Sequence, residues 1–182
     1  CPQQYKIIYI NKIRKKDESI EAFMGKRVHE VLEWLYSKVD YKNNFLVFDV
    51  LLNKYYEYWD KSWHDNIFIA RYKYNFNKYN KNTVKRIGAE CLRNYYSKFN
   101  INGFFKEKVY EVEMGFKVKI SNYLFRGYID RIDINEKKCS INVIDYKTGK
   151  KAKTFNQARN DLQLAIYYLA VLDKFKNHKK YS

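Results

Sequence analysis

Residues 127–149, "GYIDRIDINEKKCSINVIDYKTG", set three aspartates, Asp130, Asp133 and Asp145, in a stretch that otherwise reads as β-sheet. Strand interiors disfavour aspartate, whose short charged side chain packs poorly on a pleated, half-buried surface. An unpaired buried carboxylate is also costly. A lysine, a metal ion or solvent has to compensate. Working outward, Tyr110, Val112, Met114, Phe116, Val118 and Ile120 alternate, which predicts a first strand from about 109. Ser121-Asn122 then signals a turn into a second strand, roughly 123–134, and "NEKK" (135–138) turns the chain into a third at 140–147.

Helical spacing flanks these strands. In "SIEAFMGKRVHEVLEWLYSKV" (19–39) the apolar positions 20, 23, 24, 28, 31, 32, 35 and 39 follow the helical period, with Ser19 as N-cap and Glu21 in the first turn. Residues 44–60 and 83–98 also read as helices, and 155–175 as one long, largely apolar helix. Helices, three strands and a final helix predict an α/β fold, a sheet with helices on its faces. Trp34, Trp59 and Trp63 sit at helical spacing or helix ends and are assigned to the core; His64 and His178 are assigned to the surface.

The length of 182 residues suits one domain or a little more, and 46% hydrophobic residues suffice for a core. Lys plus Arg number 36 against 20 acids, which favours a polyanionic partner, nucleic acid first and an anionic membrane second. An AT-rich genome, which inflates lysine through its codons, is the plain alternative. The segment 71–86 holds six basic residues, four aromatics and no acid. Tyr72, Tyr74, Phe76 and Tyr79 there suit base stacking, or the segment is a solvated loop. There is no signal peptide and no apolar run long enough to span a membrane. Cys1, Cys91 and Cys139 are far apart and form no CxxC, a reduced pattern that points to the cytoplasm.

Side chains alternate across a strand, so Val143, Asp145 and Lys147 share one face, and Asp130 lies beside them if the second and third strands form a hairpin. Two carboxylates and an ammonium suit a hard cation with a nearby charge, equipment for phosphodiester hydrolysis. A surface Asp–Lys pair is the alternative for "DYK" alone. Asp133, three residues past Asp130, points to the opposite face and is read as structural, paired with Arg131 or Arg126; Glu113 is a further acid near the metal.

This ordered set resembles the RecB-like branch of the PD-(D/E)XK nuclease superfamily. The resemblance rests on "GYID" (127–130), "DYK" (145–147), a Gln-X-X-X-Tyr helix at Gln163 and Tyr167, the helical His29 in "GKRVHEVLEWL", and the opening Cys1-Pro2. It spans nearly the whole chain and implies a restriction-endonuclease-like core, a mixed sheet flanked by helices behind a helical amino-terminal half. Residues 1–105 would carry the motif histidine and 106–182 the αβββα core, cut short at its C-terminal end.

The resemblance further implies metal-dependent hydrolysis of DNA by an exonuclease working on single-stranded or duplex ends, in repair, recombination or CRISPR adaptation. A helicase or a CRISPR integrase is the implied protein partner. His29, Asp130, Asp145 and the Tyr146 carbonyl would hold Mg²⁺ or Mn²⁺, with the imidazole favouring Mn²⁺. Lys147 would position water, and Gln163 and Tyr167 would form the wall of the site. Many relatives hold a 4Fe-4S cluster with three cysteines after that helix; none follows Tyr167, so a cluster is not expected here. A nucleic-acid-binding module that keeps the fold without catalysis is the competing reading.

Overall fold

The computed structural model describes residues 2–13, 16–38, 47–69, 79–99, 108–149 and 151–176. The chain opens with a short helix, α1 (Pro2–Tyr5), a wider helical turn at Lys6–Ile10, and a two-residue strand, β1 (Glu18–Ser19). Ser19 Oγ then accepts the Ala22 N–H at 3.2 Å, as a cap should, and starts α2 (Ile20–Lys38). After α3 (Phe48–Ser62), β2 (Ile67–Phe68) returns to pair in parallel with β1, and α4 (Lys81–Phe99) follows. The apolar stripes of α2, α3 and α4 meet in one core, where Phe23, Leu35, Tyr55, Trp59, Val84 and Leu92 are fully buried. Gly88 lets α4 approach α3 closely: a Cβ there would strike the Tyr55 side chain and come 2.9 Å from Met24 Cγ.

Three antiparallel strands follow, β3 (Lys108–Ile120), β4 (Tyr123–Asn135) and β5 (Ser140–Ile144), with β4 in the middle. Ser121, with φ 53°, makes the turn between the first two. Then come α5 (Phe155–Arg159) and α6 (Leu162–Phe175). Tyr167, Val171 and Phe175 of α6 pack on Met114, Ile129, Ile132 and Ile134 of the sheet. Val109 and Val112 pack instead against the core of α2, α3 and α4. The end of the sheet near Val109 and Val112 is thus covered from both directions.

Four expectations change. The third strand stops at Ile144 rather than 147, because the Tyr146 N–H donates to Asp130 Oδ2 at 2.6 Å instead of joining a ladder. The single helix expected over 155–175 is two: Asn160 and Asp161 interrupt it, and the Asp161 carboxylate caps α6 by accepting the Leu164 N–H at 3.1 Å. The basic segment 71–86 is not one loop, since Lys81 to Arg86 begin α4 behind an Asn80 side chain that accepts the Thr83 N–H. Its residues 71–78, with Tyr72, Tyr74 and Phe76, lie outside the described residues, and Tyr79 donates its hydroxyl to Glu21. Finally, His64 is half-buried against Phe23 and its Nε2 lies 3.2 Å from Glu18 Oε1, so it belongs to a packed contact rather than open surface. His178 lies outside the described residues.

Candidate active site

The alternation of β3 breaks in mid-strand. Val112 faces the core of α2, α3 and α4, while Met114, two residues on, faces α6. Between them Glu113 adopts φ 48°, the left-handed region that residues with a side chain avoid. The flanking register, Val112↔Arg131 and Met114↔Ile129, sets Glu113 across from Asp130. On the other side the ladder ends at Arg131↔Ile144, and the chain beyond it stays at Asp130 through the Tyr146 N–H. Glu113 and Asp130 therefore form a short row of carboxylates across two strands, and Asp145 follows just past the end of β5.

His29 comes to this row from α2, with its Nδ1 3.4 Å from Asp130 Oδ1. Ligand atoms of His29, Glu113 and Asp130 all lie within 4.8 Å of one another, and each residue is half-buried. Together they line a cleft of about 530 Å³ to which Glu21, Glu30 and Glu33 also contribute. That is five carboxylates against one lysine, Lys26, itself paired with Glu18 at 2.5 Å. In a chain of net charge +16 this is a local sink for cations. Burial lowers the pKa of His29, but the Asp130 hydrogen bond and charge outweigh it and hold the value above the usual 6.5; the ring also donates to the Tyr146 backbone. Burial raises the pKa of Glu113, and the like charges of Asp130 and Glu33 raise it further.

A second group sits beside the first. Lys147 Nζ lies 2.6 Å from Asp145 Oδ2 and donates to Gln163 Oε1 at 3.1 Å. Gln163 Nε2 donates to Asp145 Oδ1 at 3.1 Å and to the Tyr167 hydroxyl at 2.6 Å. Gln163 and Tyr167, at i and i+4, thus share the α6 face that meets these charges. Tyr146, between Asp145 and Lys147 in the chain, joins the two groups, since its N–H binds Asp130; its hydroxyl accepts from Arg131 at 3.2 Å. Arg131 also pairs with buried Asp133 at 2.9 Å and lies 4.0 Å from the Tyr36 ring, so Asp133 has the structural place expected of it.

His29 and Asp130 are therefore brought together with Glu113, whereas Asp145 stands with Lys147, Gln163 and Tyr167. Sequence reasoning did not single out Glu33 or Glu30. The only signal for Glu33 was its i+4 spacing from His29 on α2, which puts both on one face.

The model of the PD-(D/E)XK nuclease superfamily matches residues 1–181, and the chain belongs to that superfamily. No curated protein and no solved structure matches it. Nucleases of this superfamily use divalent metals. The donor set here suits one: an imidazole nitrogen beside two carboxylate oxygens, with like charges that a bound cation would relieve. Among the described residues no helix is long and apolar enough to cross a membrane.

Proposed function

We propose that the protein is a metal-dependent nuclease of the RecB-like kind that hydrolyses DNA phosphodiester bonds, acting as an exonuclease on strand ends. The observation that carries this reading is the meeting of His29, Glu113 and Asp130 within 4.8 Å, beside an Asp145–Lys147–Gln163 cluster. His29, Asp130, Asp145 and the Tyr146 carbonyl would hold Mg²⁺ or Mn²⁺, with Glu113 completing the set. The ion would supply positive charge at a phosphoryl oxygen and make water more acidic.

The side chains supply the rest. Lys147, pinned by Asp145 and Gln163, holds the attacking water and faces developing negative charge. Tyr167 fixes the Gln163 amide, so that its carbonyl oxygen is turned to Lys147. His29 comes from residues 1–105, and the acids and lysine from 106–182, so both parts make one catalytic unit. Work on ends suits repair, recombination or CRISPR adaptation, beside a helicase or an integrase.

The test is cleavage of an end-labelled single strand with Mg²⁺ or Mn²⁺. Lys147→Ala removes a group needed mainly in the transition state, so turnover should fall about 100-fold or more with DNA affinity nearly unchanged. Asp145→Ala should abolish cleavage without weakening DNA binding. A wild-type protein that binds DNA yet is inert with every metal and every type of end would leave the non-catalytic module as the better reading.

A further inference from the structure

The β3–β4 hairpin carries a bare cationic strip that runs into the carboxylate row. Its register pairs Lys119 with Leu124, Lys117 with Arg126 and Gly115 with Tyr128, and all six residues are exposed. By alternation they share one face, and past Gly115 and Tyr128 it leads to Glu113 and Asp130, whose ligand atoms lie within 4.8 Å of each other. The opposite face, with Phe116 and Val118, turns to the protein: Phe116 packs edge-on against Tyr167 of α6.

Two features of the strip are unusual for a surface that meets only water. Lys117 and Arg126 stand directly across from each other, a like-charge pair that destabilises a sheet. Among the described residues neither has a carboxylate partner. By contrast, Lys85 in the basic segment pairs with Asp60 at 2.8 Å, and Lys81 lies 3.7 Å over the Trp63 ring. The second feature is Tyr128, which is 66% exposed. Its ring rests on Gly115, where a Cβ would come 3.4 Å from Tyr128 Cε1. The ring thus lies along the sheet beside Gly115 and offers a face to solvent.

We infer that this hairpin face is the track for a single nucleic-acid strand, with Lys117, Lys119 and Arg126 holding phosphates and Tyr128 stacking a base next to the Glu113–Asp130 site. The inference rests on the nuclease reading and names the surface that feeds its site. Lys117 and Glu113 are four residues apart along the strand, about 13 Å, so the strip reaches the site without a break. Anionic phosphates relieve the Lys117–Arg126 repulsion, and the carboxylates beyond Tyr128 repel the backbone unless a cation screens them there.

The test is fluorescence anisotropy of a labelled oligothymidylate in EDTA, titrated against salt, so that binding is read without cleavage. A triple variant, Lys117→Ala, Lys119→Ala and Arg126→Ala, is compared with a charge-matched control, Lys98→Ala, Lys137→Ala and Lys138→Ala. The strip variant should lower the slope of log affinity against log salt by about 2, and the control should leave it unchanged. Tyr128→Ala should weaken binding about fivefold or more and Tyr128→Phe should restore it. A strip variant that behaves like the control overturns the inference while leaving the nuclease reading standing. Strip-dependent binding by a protein that never cleaves would support the inference and sink the nuclease reading. Loss of binding to phosphatidylserine vesicles alone, with the oligonucleotide unaffected, would assign the strip to a lipid surface and overturn it.

Discussion

Glu113 holds a left-handed conformation in the middle of a strand, which costs a residue with a side chain roughly 1–2 kcal/mol. The conformation turns Val112 and Met114 toward different cores and leaves the carboxylate across from Asp130. Glycine adopts it without that cost. Glu113→Gly should therefore be more stable than Glu113→Ala by about 1 kcal/mol in urea unfolding, while neither variant keeps a carboxylate at that position. Equal stability would mean that the left-handed backbone is not what the site costs. At this scale Asp130 and Asp145 were legible in the sequence because carboxylates in a strand-like run go against its propensity, and Lys147 was legible by its spacing from Asp145. The role of Glu113 was less so, since an alternating pattern of Val112, Met114 and Phe116 gives no sign of a flipped residue between them.

Helices and strands were legible where one face is apolar: α2 begins at its expected cap, and β3 and β4 fall within a residue or so of the alternating runs. Boundaries shifted where a side chain captured a backbone N–H. Asp130 ends β5 and Asp161 divides the last helix, each through a single hydrogen bond that periodicity does not register. The seam between α3 and α4 makes a prediction at this scale. Gly88→Ala adds a methyl group where Tyr55 and Met24 already fill the space, and overpacking of this kind costs about 1–3 kcal/mol. Alanine is otherwise the better helix former, so an exposed glycine would show the opposite sign. Thermal unfolding of Gly88→Ala should thus come at lower temperature than wild type. A rise would show that the helices separate without cost.

Across the whole molecule, the +16 charge conceals an acidic cleft and a web of local compensation. Glu18 is one tie, joined to Lys26 at 2.5 Å and to His64 at 3.2 Å, where it fastens β1 and α2 to the turn before β2. Burial alone would raise its pKa, but the Lys26 and His64 hydrogen bonds and charges overcome this and lower it below 4.5. A depressed carboxylate stabilises the fold above its unfolded value and loses that contribution as pH falls through the lowered one. The stability gap between wild type and Glu18→Gln should hold steady above pH 4.5 and close below it, as followed by urea unfolding at stepped pH. A gap that widens in acid would reverse the assignment.

The central claim is that one ion is held where α2 meets the carboxylate row. Calorimetric titration of Mn²⁺ into the DNA-free protein tests it most directly. Asp130 faces His29 at 3.4 Å and accepts the Tyr146 N–H, so Asp130→Asn should abolish or sharply weaken binding. His29→Ala and Glu113→Gln should each weaken it about 10-fold or more, a loss of the size that disturbing a metal's supporting shell already brings. Lys147→Ala should leave Mn²⁺ bound, since the role proposed for that residue is in the reaction and not in holding the ion. Mn²⁺ that binds Asp130→Asn as tightly as wild type would contradict the account.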